Sequence, residues 1–130
     1  MAFSILLVDD SATVRAVISK ALFLSGVEIR ELHQAGNGQE ALDVLENEWV
    51  DLIFCDLSMP VMDGETFVAT MNERGMLETL PVVIVSSAGS EPRVARLKAL
   101  GVRDYIQKPF TPERIREVVD EVMGVAQNAD

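Results

Sequence analysis

Three nearly continuous apolar runs, Phe3 to Val8, Val50 to Cys55 and Pro81 to Val85, constrain the fold of this chain more than any other feature. Runs with no polar alternate suit strands that are covered on both faces. Two weaker strands join them. Glu28 to Gln34 alternates polar and apolar, as a half-exposed strand does, and Asp104 to Gln107 is short and holds the only tyrosine. Helical period fills the intervals. Val14, Val17, Ile18, Ala21 and Leu22 fall on one face, as do Ile115, Val118, Val119 and Val122. Ser11 opens the first helix and Gly26 ends it; Ser90 with Pro92 opens a later one that Gly101 closes; Thr111 with Pro112 opens the last. Helices over Asn37 to Asn47 and Gly64 to Arg74 complete the pattern, with Asp63 as a cap for the latter. A strand followed by a helix, repeated five times, demands crossover connections. The predicted class is therefore α/β, a doubly wound parallel sheet with helices on both faces.

The 130 residues give room for one domain, expected over residues 1–124, with 125–130 as a frayed tail. A formal net charge of −10 argues against unaided binding to nucleic acid or to an anionic membrane. Cys55 is the only cysteine, which excludes an intrachain disulfide and suits a reducing compartment. No apolar run is long enough to cross a bilayer and the N-terminus does not read as a signal segment, so a cytoplasmic location without membrane insertion is expected.

In a doubly wound sheet, ligands bind beyond the carboxyl ends of the strands, where strand order reverses. The polar residues at those ends are Asp9-Asp10 after the first strand, Asp56 after the third, Ser86-Ser87 after the fourth and Lys108-Pro109 after the fifth. Each alone reads as a turn former or cap. Together they do not, because two carboxylates about 4 Å apart repel by about 4 kcal/mol at an effective dielectric near 20. A cation must hold them. Carboxylate oxygens without a His or Cys set select a hard divalent ion, and an incomplete cage that leaves places for water and phosphate points to Mg²⁺ over Ca²⁺. A metal, a lysine, a carboxylate and a small hydroxyl suit phosphoryl transfer, in which the carboxylate itself can be the nucleophile.

The motifs Val-Asp-Asp-Ser at 8–11, Asp-Leu-Ser-Met-Pro-Val-Met-Asp-Gly at 56–64, Ser86, Tyr105 and Lys108-Pro109-Phe110 carry a family likeness. Over nearly its whole length the chain resembles the receiver domain of two-component response regulators, in particular the stand-alone chemotaxis type. The resemblance implies a flavodoxin-like fold of five parallel strands in the order 2-1-3-4-5 with five helices. It also implies a phosphorylation-activated switch that is a stoichiometric phosphoacceptor, not an enzyme, with self-catalysed phosphorylation and dephosphorylation. On this reading Asp56 accepts the phosphoryl group from a sensor histidine kinase, a histidine phosphotransfer protein or a small phosphodonor. Asp10, Asp56 and the Ser58 carbonyl bind Mg²⁺, and Asp9 orients a metal-bound water. Lys108 pairs with a phosphoryl oxygen across a cis Lys108–Pro109 bond, Ser86 donates its hydroxyl, and Tyr105 is the switch aromatic that turns inward when Ser86 moves. Structural alternatives stand beside these roles: Asp9 and Asp10 as caps, Lys108 as a solvated lysine, and Tyr105 as a half-buried residue with its hydroxyl in water.

Ser58 and Ala88, positions that influence water access to the acyl phosphate in the family, carry no base, so unusually rapid self-dephosphorylation is not expected. Arg93, Arg96, Lys98 and Arg103 form a basic island, read here as a solvated helix face in preference to a partner site. The output protein is unknown, a phosphorylation-dependent dimer is allowed, and a kinase is expected to touch the first helix and the loop after Lys108. Two other readings compete, a receiver excised from a larger multidomain regulator and a phosphorylation-independent pseudo-receiver binding module. The latter should have lost acidic or lysine positions that this chain keeps. A phosphatase of the haloacid dehalogenase type requires Asp-x-Asp-x-Thr, whereas Asp56 is followed by Leu57 and Ser58. Gly64 is expected to supply backbone freedom, Cys55 to pack beside the nucleophile, Trp49 to lie at the opposite end from Asp56, and His33 to be a surface or edge residue.

Overall fold

A computed structural model describes residues 2–87 and 90–124 of the chain. Strand and helix alternate as β1 (Phe3–Val8), α1 (Ala12–Ser25), β2 (Ile29–Ala35), α2 (Gly38–Asn47), β3 (Leu52–Cys55), α3 (Gly64–Glu73), β4 (Val82–Ser86), α4 (Glu91–Leu100), β5 (Asp104–Gln107) and α5 (Pro112–Met123), with one 3₁₀ turn over Met76–Glu78. All pairings are parallel, in the order β2-β1-β3-β4-β5. This is the predicted doubly wound, flavodoxin-like sheet.

Strand periodicity divides the core. Leu6, Val8, Ile53, Cys55 and Ile84 face one way, packing with Ala41 and Leu42 of α2 and Phe67, Val68 and Met71 of α3. Their neighbours Ile5, Leu7, Leu52, Phe54, Val83 and Val85 face the other way, onto Ile18 and Leu22 of α1 and Ile115, Val118 and Val119 of α5. Removing one such side chain from water contributes about 1.5–3 kcal/mol, so strands and helices together supply the driving force for this core.

The caps follow the sequence signals. Ser11, Asn37, Asp63, Ser90 and Thr111 each accept a backbone N–H in the first turn of their helices. Gly26 ends α1 in the left-handed conformation at φ +85°. Some strand limits move by a residue or two. The third strand starts at Leu52, and just before it the Asp51 side chain takes over from the ladder: its Oδ2 accepts the Ser4 N–H at 2.8 Å and its Oδ1 accepts from Trp49 Nε1 at 2.8 Å. The second strand runs on to buried Ala35, and the fourth includes Ser86.

Candidate functional site: an acidic pocket at the carboxyl ends of the strands

The ladder of sheet hydrogen bonds continues one residue past the strand ends and carries the polar residues into place. Asp9 N–H donates to the Ala35 carbonyl at 3.0 Å, Asp56 N–H to Val8 at 2.8 Å and Lys108 N–H to Ser86 at 3.2 Å. Asp9, Asp10 and Asp56 thereby converge, with one carboxylate oxygen of each within 4.8 Å of the others. These are the three carboxylates expected from the sequence. Asp9 is 1% exposed, whereas Asp10 lies open to solvent. Ser58, two residues past Asp56, is also exposed.

Lys108 reaches over the pocket. Its Nζ lies 3.2 Å from Asp9 Oδ2 and 3.9 Å from Asp56 Oδ2. It is therefore an internal counter-ion and not a free surface lysine. Asp9 also accepts the Ser11 N–H on Oδ1 at 2.9 Å, leaving the helix cap to Ser11. Asp56 Oδ1 accepts the Leu57 N–H at 2.8 Å. Burial nonetheless raises the Asp56 pKa above its ordinary value; the Leu57 N–H, Lys108 and the Ser86 hydroxyl pull it back down, while Asp9 adds to the rise. Such a carboxylate, poorly solvated and close to like charge, gains from a divalent cation. Three convergent carboxylates with open neighbours form an acidic pocket suited to a hard ion.

Ser86 is 1% exposed and joins three groups. Its hydroxyl bonds Asp56, and its backbone carbonyl accepts both the Lys108 N–H and the Tyr105 hydroxyl, the latter at 2.8 Å. The tyrosine therefore points inward with its hydroxyl bonded to protein and not left to water. The Lys108–Pro109 peptide bond is cis, as the resemblance implies. Ala88 lies outside the described residues.

Gly64 corrects one expectation. It does not adopt a positive φ; it serves close approach instead. A Cβ there would stand 2.1 Å from the Asp56 carbonyl oxygen and 2.9 Å from Leu57 Cα, while the Gly64 N–H donates to Leu57 O at 2.9 Å. Helix α3 is thus butted against the backbone of Asp56, and Asp63 caps it by accepting the Thr66 N–H at 2.8 Å. Between them Val61 takes φ +66°, the one non-glycine residue with a left-handed backbone among the described residues. That conformation costs a β-branched side chain on the order of 1 kcal/mol.

Arg15 was not legible as part of the site. One turn into α1, it donates from Nη1 to the Asp9 carbonyl and from Nε to Gln34 Oε1 at 2.9 Å, fixing the backbone that presents Asp9 and Asp10. Its position on a mostly exposed helix face gave no signal of this. Cys55 packs beside Asp56 as expected; its Sγ–H donates to the Asp56 carbonyl at 3.1 Å, and burial, with Asp56 and Asp9 nearby, raises the thiol pKa and keeps it inert. In the basic island, Arg93 pairs with Glu65 of α3 and Arg103 donates to the Glu78 carbonyl at 3.3 Å.

This fold and this pocket define a class, and the sequence comparison agrees: residues 5–120 match the model of the response regulator receiver domain, so the chain belongs to that family. It is a phosphorylation-dependent switch of two-component signalling, a phosphoacceptor in place of a turnover enzyme. Among its relatives is a chemotaxis protein CheY homolog of Campylobacter jejuni, 35% identical over 121 residues that cover 92% of each chain. The solved structure of Vibrio cholerae chemotaxis protein CheY4 is 30% identical, with a TM-score of 0.81 over 94% of this chain and 99% of that one. The CheX–CheY–BeF3–Mg²⁺ complex of Borrelia burgdorferi is 27% identical, with a TM-score of 0.82 over 93% of this chain and 89% of that one. Among the described residues no helix is long and apolar enough to cross a membrane.

Proposed function

We propose that Asp56 is the phosphoryl acceptor of a Mg²⁺-dependent switch that takes its phosphate from the histidine of a sensor kinase or histidine phosphotransfer protein. The observation that carries this reading is the meeting of Asp9, Asp10 and Asp56 under Lys108, with the Ser86 hydroxyl on Asp56. Receivers of this type partner with histidine kinases, and the similar Borrelia protein is seen with Mg²⁺ and BeF3. The donor set fits the ion: oxygens only, from Asp10, Asp56 and the Ser58 carbonyl, with Asp9 orienting a bound water. When bound, Mg²⁺ supplies charge neutralisation between the Asp56 carboxylate and the incoming phosphoryl oxygens.

The chain's own groups do the rest. Asp56 Oδ2, the oxygen not engaged by the Leu57 N–H, forms the new P–O bond as the P–N bond to the donor imidazole breaks, and the imidazole leaves with that electron pair. Lys108 Nζ shifts from the Asp9–Asp56 pair to a phosphoryl oxygen. The Ser86 hydroxyl turns from the carboxylate to the phosphoryl group, moving the carbonyl that Tyr105 holds. Loss of the phosphate follows by water attack on the acyl phosphate, with no base supplied by Ser58. A shift of the surface formed by α4, β5 and α5 from 1:99 to 99:1 needs about 5.5 kcal/mol of differential stabilisation, within reach of one dianionic group and several contacts. The receiver unit comprises residues 1–124, with 125–130 as a tail that lies outside the described residues, and it acts in the cytoplasm.

Intact-mass spectrometry after acetyl phosphate and Mg²⁺ tests this reading. One phosphoryl group should add to the natural chain, and none to Asp56→Asn or to the natural chain with EDTA. Equal masses before and after treatment of the natural chain would overturn it.

A further inference from the structure

A second set of metal-ligating side chains lies on edge strand β2, outside the acidic pocket. Residues alternate along a strand, and Ala35 packs toward α2, so Glu31 and His33 share that face. Helix α2 runs back along the strand and delivers Glu48, its C-cap, to them. One ligand atom from each of Glu31, His33 and Glu48 lies within 4.8 Å of the other two.

His33 is the only histidine of the chain. Its Nε2 is enclosed and has no hydrogen-bond partner among the described residues, and Glu31 Oε1 stands 3.7 Å away. That separation is too long for a hydrogen bond, and a buried ring nitrogen ordinarily finds one. It is close to what one ion imposes on two ligands. Tetrahedral zinc, with bonds of about 2.0–2.2 Å, keeps its ligand atoms about 3.4 Å apart. Glu31 and Glu48 are exposed, so their carboxylates can close the remaining gap by rotating about their own side-chain bonds.

We propose that Glu31, His33 and Glu48 form a second divalent-cation site, selective for zinc over magnesium, that clips edge strand β2 to the end of α2. The chemistry separates the two sites. Three carboxylates suit a hard ion, whereas an imidazole between two carboxylates suits a borderline one, with the fourth position left to water. Zinc occupancy fastens a sheet edge and leaves the acidic pocket free for its own cation.

The test is a Zn²⁺ titration of the full chain in excess Mg²⁺, which competes for the acidic pocket, followed by competition with a chromophoric chelator and by the His33 ring resonances in NMR. One Zn²⁺ should bind per chain, with the His33 resonances shifting on the same isotherm. Affinity should fall at least tenfold in His33→Gln and, independently of any change in the core, in the exposed variant Glu48→Gln; Asp56→Asn should keep it. No binding by the natural chain in excess Mg²⁺, or equal affinity in His33→Gln and Glu48→Gln, overturns the proposal. Loss of binding in Asp56→Asn alone would assign the zinc to the acidic pocket and overturn it equally.

Discussion

Asp51 and Asp56 flank the same strand and have opposite fates. Asp51, at its start, has both oxygens occupied by the neutral donors Ser4 N–H and Trp49 Nε1, each at 2.8 Å. Asp56, at its end, takes the Leu57 N–H and the Ser86 hydroxyl, yet it also faces Lys108 at 3.9 Å and two further carboxylates. Hydrogen-bonded carboxylates hold structure; a carboxylate left among charges, with its pKa raised by burial, is poised for a ligand. Position beside a strand does not distinguish them. Their partners do.

The comparison breaks if the two ends of β3 respond alike. Lys108→Ala should slow phosphorylation by acetyl phosphate on the order of 100-fold, the scale expected for removing one donor that stabilises transferred charge. Asp51→Ala should leave that rate within about twofold and lower unfolding stability by about 1–3 kcal/mol, because buried Ser4 keeps an N–H without its acceptor. Stopped-flow kinetics and urea melts read the two effects, and a slow Asp51→Ala would erase the distinction. Gly64→Ala tests whether α3 abuts the site: the added Cβ meets the Asp56 carbonyl, so stability should drop by about 1–3 kcal/mol and Mg²⁺ affinity should weaken with it. A chain that melts and binds like the natural one would show that the loop yields freely.

The smallest effect concerns the charge on Asp56. Its folded pKa is raised, so the folded chain holds this proton more tightly than the unfolded one. Its contribution is fully present below the unfolded pKa and is lost as pH rises through the folded one. In EDTA at neutral pH, Asp56→Asn should therefore be more stable than the natural chain and melt at a higher Tm, and the gain should vanish below the ordinary carboxylate range. Mg²⁺ should shrink it as well. An unchanged or lower Tm at neutral pH would mean that Lys108 already offsets the burial of the charge.

The central strands and the residues just beyond them could be read from the chain because one physical cause marked both. A strand covered on two faces is apolar along most of its length, so Asp9, Asp10, Asp56 and Ser86 stand out as polar residues at the carboxyl ends of the strands. Lys108 was legible from its place just after the short, mixed fifth strand. What escaped was set by contacts across the fold. Arg15 looks like any charge on a helix until the Asp9 carbonyl is placed beside it. Gly64 suggested a special φ, yet the demand is steric and comes from the backbone of Asp56 and Leu57, eight and seven residues earlier. Glu31, His33 and Glu48 share no motif spacing, since a strand and the far end of a helix bring them together. The 3₁₀ turn over Met76–Glu78 follows a left-handed Gly75 and carries one buried side chain, Leu77, too little apolar pattern to read in advance.

Ser86 addresses its neighbours through two separate channels. The hydroxyl that meets Asp56 belongs to its side chain, which a single codon change can remove or resize. The carbonyl that holds the Tyr105 hydroxyl and the Lys108 N–H belongs to the main chain, which any residue type would supply. Drift at this position can therefore retune the grip on the acceptor while the wiring to the aromatic is inherited unchanged, so sensitivity and connectivity are free to evolve on different clocks.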